Sequence, residues 1–325
     1  MARYVHQIAR PHGRPTADQF RFVDAPDPVP GPGQALVENL YLSVDPYMRE
    51  VMNDGDLDAP MEGRALGRVL SSDEPGLSEG DLILHRDGWR THAVVGAGQY
   101  RKLRHHDGVP LDTFLGLLGG TGLSAYVGLT RIGRIEAGET VFISAAAGGV
   151  GSAAGQIARL LGAKRIIGSA GSDTKAEYLT SRLGFDAAIN YRAGNLRDQL
   201  AQAAPDGIDL YFDNVGGEHM EAAIDVLKPG GRIVWCGAVS QYNNTGTWSG
   251  PANLYEVVYK TLRLEGFLVR EHMDAQPELE DFLVPHLRSG AVHSAQTIVD
   301  GFDGIVDAFL DMLSGANTGK MIVRL

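Results

Sequence analysis

The chain has 325 residues, 44% of them hydrophobic and 21% charged, with a formal net charge of −11. That length passes the roughly 250–300 residues at which a single core stops growing, so two domains are expected. The acidic balance disfavours nucleic acid and anionic membrane surfaces as partners, because phosphate groups are met by basic patches, and the one cysteine, Cys236, allows neither an intrachain disulfide framework nor a cysteine-rich zinc site.

Residues 1–7 lack the long apolar core of a signal peptide. No apolar run is long enough to span a bilayer, so a cytoplasmic location is expected. The stretch up to about residue 118 is rich in Pro, Gly and short apolar runs. Strands are predicted over 34–44, after the Pro-Gly turn at 30–33, and over 67–70, 81–85 and 93–95. Short strands with frequent turns suggest a β-barrel-like domain. Near Leu117 the character changes. A helix over 122–130 is followed by alternating strands (141–144, 165–169, 187–190, 208–213, 231–237, 262–269) and helices (152–161, 173–183, 195–203, 218–227). That alternation predicts a parallel sheet flanked by helices. A helix over 277–289, a strand at 295–299, a helix over 305–314 and a strand at 321–325 complete the chain, and this tail is expected to rejoin the first domain.

The most informative segment runs from Val141 to Gly151: an apolar, β-branched run, then Ala145-Ala146-Ala147-Gly148-Gly149-Val150-Gly151, then a helical pattern. Strand, glycine turn and helix open a dinucleotide-binding unit, in which unpaired helix N–H groups face a pyrophosphate that small residues let approach. An acid that would hold the ribose hydroxyl of NAD is expected about 20 residues past the glycines. That distance falls on Gly171, Asp173 comes slightly later as the expected cap of the next helix, and Lys175 lies near enough to balance a 2′-phosphate. The local chemistry favours NADP over NAD; the other reading of Lys175 is a solvated helix residue. Asp213-Asn214-Val215-Gly216-Gly217 and Cys236-Gly237-Ala238-Val239-Ser240 each close a predicted strand. Each is either a simple turn or part of the crevice beyond the sheet's carboxyl edge.

The whole chain resembles the zinc-independent medium-chain dehydrogenase/reductase superfamily. It is most similar to the branch holding prostaglandin reductase/leukotriene B4 12-hydroxydehydrogenase, alkenal double-bond reductases and curcumin reductase. The carriers are Val44-Asp45-Pro46-Tyr47-Met48-Arg49, then 145–151, 168–175 (with Ser172 and Lys175), 184–191, 211–217, 231–240 and Asn317-Thr318-Gly319-Lys320. The resemblance implies an α/β protein with two parts: a GroES-like β-barrel catalytic domain (1–120 and 293–325) and a Rossmann doubly wound parallel-sheet cofactor domain (121–292). It implies NADP(H) as cofactor and roles at matching positions. Gly148, Gly149, Val150 and Gly151 would line the pyrophosphate, with Ser172, Lys175 and Tyr191 at the 2′-phosphate end. Asn214 would sit by the nicotinamide-side ribose. Cys236, Gly237, Ala238, Ser240 and Tyr242 would wrap the nicotinamide half, flanked by Phe267, Leu268 and Val269, with Asn317 reaching in from the tail. Cys236 is expected to contribute backbone rather than thiol. No zinc is expected: Glu62-Gly63-Arg64-Ala65-Leu66-Gly67 lacks the Gly-His-Glu start of the zinc enzymes, and the ten histidines, His105-His106 among them, show no ligand spacing.

Without a metal, hydride addition to the β-carbon of an enone or enal leaves an enolate that needs hydrogen-bond donors at its oxygen. In the resembled family a tyrosine of a Tyr-x-x-Leu-Arg-type segment supplies one. Here that is Tyr259, with Tyr255 second; the plainer reading of Tyr259 is a half-buried tyrosine at a helix end. Tyr47 is either a wall of the substrate pocket or a structural tyrosine behind Pro46, and Tyr242 is a second substrate-side candidate. The stretch 52–61, with Asp54, Asp56 and Asp58, is acidic and poor in aromatics, and 241–252 is rich in Asn, Thr and Gly, with Trp248. Such rims set the preferred acceptor, so it is expected to differ from eicosanoids or phenylpropenals. Two other readings stay open: a zinc-free quinone oxidoreductase and a non-catalytic NADPH-binding protein. The expected partners are a small enone or enal and a second copy of the chain, paired along an edge strand at 264–269.

Overall fold

A computed structural model describes residues 1–246 and 250–325. Trp248 and its neighbours Thr247 and Ser249 lie outside the described residues. The chain divides into two compact units: Met1–Leu115 with Gln296–Asn317 and Met321–Leu325, and Gly116–Ala295 with Thr318–Lys320. No helix among the described residues is long and apolar enough to cross a membrane.

The first unit is built on β3 (Gln34–Val44), whose alternation puts Ala35, Val37 and Asn39 inside and whose register shift past Asn39 then buries Leu42. It pairs antiparallel with β5 (Ala65–Ser72), β7 (His92–Gly96) and, near its end, β16 (Lys320–Arg324). β6 (Leu82–His85), β8 (Tyr100–Lys102) and β15 (Gln296–Asp300) extend that sheet. A second, smaller sheet joins β1 (Ala2–Gln7), β2 (Phe20–Ala25) and β4 (Ala59–Pro60). Trp89 anchors one core, stacked on Phe20 at 5.7 Å and edge-on to Phe309 at 5.6 Å. Phe309 comes from α9 (Ile305–Ser314). The stretch 52–61 is not one loop. Met52–Asp54 closes α1 (Met48–Asp54), Asp58 pairs with Arg21 at 2.6 Å, and Ala59 and Pro60 join β1.

The second unit holds a parallel sheet with six strands among the described residues. They are β9 (Thr140–Ile143), β10 (Arg165–Ala170), β11 (Ala187–Asn190), β12 (Ile208–Asp213), β13 (Leu227–Trp235) and β14 (Arg263–Gly266), in spatial order β11-β10-β9-β12-β13-β14. The order reverses direction at β9, so β10 and β12 diverge on either side of it and leave a crevice beyond the strand ends. Four boundaries correct the expectations. The helix after β9, α3 (Gly149–Leu160), starts three residues before Ser152 and takes two of the glycines into its first turn. α4 (Asp173–Arg182) is capped by Ser172, whose Oγ accepts the Lys175 N–H at 3.3 Å; Asp173 is its first helical residue, not its cap. β13 ends at Trp235, so Cys236 and Gly237 belong to the loop. β14 ends at Gly266, so Phe267 and Leu268 are linkers and Val269 opens a 3₁₀ turn. Of the tail, Gln296–Asn317 and Met321–Leu325 lie in the first unit and Thr318–Lys320 in the second.

His85 shows how tightly the first unit specifies its polar core. Asn39 Nδ2 donates to the carbonyls of Asp87 and Arg90, which leaves Oδ1 as the acceptor facing His85 Nε2 at 2.8 Å. Asp87 N–H donates to Nδ1 at 3.2 Å. Both ring nitrogens are therefore committed in the neutral Nε2–H form, and a second proton would face a donor. Burial first, then the charge of Arg90, brings the ring down from 6.5 to about 4. A group depressed in this way contributes stability above its ordinary pKa and loses it as pH falls. Unfolding free energy should thus decline by about 2–3 kcal/mol between pH 6.5 and 4 from this residue. Imidazole ¹⁵N shifts should show His85 neutral at pH 5.5, and a ring charged at that pH would contradict the assignment.

Candidate active site

The turn after β9 is held by backbone. Ala145 takes a left-handed φ of 47°, Ala146 N–H donates to Ser169 O on β10 at 2.8 Å, and Gly148 N–H closes on Ala145 O at 2.9 Å. A Cβ on Gly151 would collide with Ala145 O and lie 2.6 Å from Ala146 Cα, so the helix start lies against the turn at a spacing only glycine permits. The N-cap Gly148 offers no side-chain acceptor to the first-turn N–H groups. They face outward with the positive end of the helix dipole, an arrangement that fits a pyrophosphate. Gly319 flanks the turn: its N–H reaches Ala147 O at 2.7 Å, and it bridges to Gly148.

At the end of β10 the chain reads Ala170-Gly171-Ser172 and carries no acid there. Tyr191 follows β11 and donates its N–H to Ala170 O at 3.2 Å. Its hydroxyl would stand 3.0 Å from a Cβ placed on Gly171. Tyr191 and Ser172 thereby flank Gly171, and Lys175 follows in the first turn of α4, its N–H on Ser172 Oγ. This arrangement suits the phosphorylated ribose of NADP.

Beyond β12 the structure assembles Asn214 with the loop after β13. Asp213, fully buried, organises both. Its Oδ1 accepts the Tyr211 hydroxyl (2.6 Å), the Ser144 hydroxyl (3.1 Å) and the N–H groups of Val215 and Gly216 (2.8 Å each). Burial raises the carboxyl pKa, against the pull of these donors, while Oδ2 is buried without a partner among the described residues. The Asp213 carbonyl takes the N–H of Cys236 at 2.8 Å, and Asn214 spans to Ser144 O through Nδ2 at 2.8 Å. Ser240 Oγ donates to Val215 O at 2.6 Å. Ala238 lies against Gly216, and the Tyr242 hydroxyl comes near Gly237. Asn214, Cys236, Gly237, Ala238, Ser240 and Tyr242 are thus brought together. Burial, with the nearby Asp213 charge, pushes the Cys236 thiol up to about 12, which makes it a poor nucleophile. The sequence reading did not single out Ser144, Tyr211 or Asp213 as site residues. The signal was available: a hydroxyl at the end of each of two neighbouring strands, and an acid in an otherwise apolar run.

Phe267 packs near Gly128, and Leu268 is half exposed. Asn317 belongs to the first unit, one residue ahead of the segment that joins the second. Tyr47, also in the first unit, opens α1. Its hydroxyl is buried with no partner among the described residues, and burial raises its pKa to about 12. Arg64 lies 6.0 Å over its ring. Tyr259 ends α7 (Glu256–Tyr259) and is 72% exposed, not half-buried, with its ring edge-on to Tyr255 at 4.9 Å. Among the described residues, no three His, Cys, Asp or Glu side chains converge to hold a metal.

Gly151→Ala should force the first turn of α3 away from Ala145, at a cost of about 1–3 kcal/mol. NADPH affinity, followed by cofactor fluorescence, should fall at least ~10-fold. Native affinity in that variant would remove Gly151 from the site.

Two family profiles match the chain: an N-terminal domain of oxidoreductase over residues 3–103, and a zinc-binding dehydrogenase over 149–284. Mouse prostaglandin reductase 1 is 42% identical over 96% of this chain and 95% of its own. The NADP⁺-dependent 2-alkenal reductase of tobacco is 38% identical over 91% of this chain and 88% of its own. CurA from Vibrio vulnificus, solved in complex with NADPH, superposes with a TM-score of 0.91 at 34% identity over 99% of this chain and 98% of its own. The cofactor of this chain is NADP(H), and the first-turn amides and the phosphate-end residues described above fit it. The chain belongs to the zinc-independent branch of the medium-chain dehydrogenase/reductase superfamily and is an NADP-dependent oxidoreductase.

Proposed function

We propose that the enzyme reduces the carbon–carbon double bond of α,β-unsaturated aldehydes or ketones, with Tyr259 as the hydroxyl that meets the developing enolate. The observation that carries this reading is the 38% identity, over nine-tenths of the chain, to a protein named for 2-alkenal reduction. Bound NADPH supplies the hydride. The Tyr259 O–H donates to the substrate oxygen as negative charge gathers there, and a proton then reaches the α-carbon from Tyr259 or water. In this reading Asn214 and the 236–242 loop border the nicotinamide half, and Tyr242 is on the substrate side.

The segment carrying Tyr259 supports that role, because its base is fastened while its rings project. Lys260 Nζ donates to the carbonyls of Ile224 and Asp225 at 2.9 and 2.7 Å, at the end of α6 (Gly217–Val226). Asn253 Nδ2 reaches Glu221 O at 2.9 Å and Asp225 Oδ1 at 2.7 Å. Above this anchor Leu254, Tyr255, Val258 and Tyr259 are exposed, and so large an apolar surface marks a contact site. The proposal includes a homodimer: β14 is the last strand of its sheet and offers a backbone edge to a second copy.

Tyr259→Phe should lower turnover of an alkenal at least ~10-fold while NADPH affinity holds, since loss of a single oxyanion donor typically costs ~10²–10³ in rate. Unchanged turnover would remove Tyr259 from the chemistry. Saturated products from an alkenal and a benzylidene ketone, identified by mass spectrometry, should accompany NADPH oxidation. Turnover of a quinone alone would favour the quinone-reductase reading, and tight NADPH binding without any turnover would favour a binding protein. Light scattering should give twice the chain mass at working concentration; a monomer would overturn the paired-edge arrangement.

A further inference from the structure

The phosphate end of the cofactor site contains a cation that the sequence reading left aside. Arg192 follows Tyr191 directly, and its guanidinium lies 5.6 Å from the centre of the Tyr191 ring. Its Nε would be 3.4 Å from a Cβ on Gly171, on the same side as the Tyr191 hydroxyl. The ring itself is held edge-on against the buried His219 at 5.1 Å. Asn190 fixes the turn to α4: its Nδ2 donates to Asp173 Oδ1 at 2.8 Å, and its Oδ1 accepts the Arg192 N–H at 3.1 Å. The carboxylate nearest this corner is thus engaged by an amide. The Lys175 ammonium is held below its ordinary range, by burial first and then by the charge of Arg192. Two like charges share one neighbourhood at some cost, which a dianion set between them would relieve.

We propose that Arg192 is a second clamp on the 2′-phosphate, acting with Lys175 and setting the preference of this chain for NADPH over NADH. The inference rests on the reading of Lys175 as the phosphate lysine. An arginine suits the role because its planar fork presents paired N–H donors to phosphate oxygens and its face stacks on an aromatic ring. Lysine supplies a point charge only.

The test is direct, since Arg192 is exposed and its replacement leaves the core intact. Arg192→Gln should weaken NADPH and 2′,5′-ADP by about 10-fold, as loss of a charge-assisted contact typically does, while NADH stays within about twofold. Arg192→Lys should fall between the two. Equal weakening of NADPH and NADH would mean a structural role and overturn the proposal, as would NADPH affinity held within twofold. Lys175→Gln, measured in parallel, separates the two levels of the argument. If it lowers the NADPH-to-NADH preference and Arg192→Gln does not, the site stands and the second clamp falls. If neither variant changes the preference, the phosphate end has been placed wrongly.

Discussion

One carboxylate oxygen holds the catalytic edge of the second unit together. Asp213 Oδ1 collects two hydroxyls and two backbone N–H groups from β9, β12 and the turn beyond. A buried carboxylate is costly, and hydrogen bonds to its charged form are what offset that cost. The offset is available only while Ser144, Tyr211, Val215 and Gly216 keep their places. The turn that carries Asn214 and the loop that carries Cys236 to Ser240 are therefore tied to one buried residue, Asp213. Gly216 and Gly217, both at positive φ, let the chain bend around that oxygen.

The same unit handles opposite charge in two ways. After β9 the groups proposed to meet the pyrophosphate are the backbone N–H groups of the first turn of α3 and its helix dipole. Near the end of β10, Lys175 and Arg192 are the cations proposed for the ribose phosphate, in a protein whose net charge is −11. Local cations within an acidic field keep attraction confined to the place where a phosphate belongs, and the rest of the surface repels polyanions.

Much of this was legible in the sequence. The strand, glycine turn and helix at 141–160 announced themselves through β-branched residues followed by small ones, and α9 was read to its terminal residues from its apolar periodicity. Lys175 was read at the phosphate end from its distance past the glycines, and Tyr191, far from it in the chain, was added by family pattern alone. What escaped has physical reasons. β1, ARYVHQ, buries Ala2, Val5 and Gln7, a pattern that neither alternates strictly nor follows hydropathy, so no local signal carries it. α1 follows Pro46 and Tyr47 without a side-chain cap, and no start signal marks it. The cap of α4 fell to Ser172 rather than Asp173 because the hydroxyl, one residue earlier, already satisfies the Lys175 N–H. The exposure of Tyr259 followed from the anchoring of Asn253 and Lys260, long-range contacts that no local pattern encodes.

Thr318–Lys320 lies with the second unit, and Gly319 is hydrogen-bonded beside the glycine turn. On the ribosome that contact is made late. All six strands of the parallel sheet, and the turn itself, are synthesised long before residue 319 emerges. A nascent chain can therefore assemble its sheet early while one flank of the phosphate turn stays unfinished. The turn therefore gains this hydrogen bond only once residue 319 has been made, although every other backbone contact described for it lies within residues 145–169.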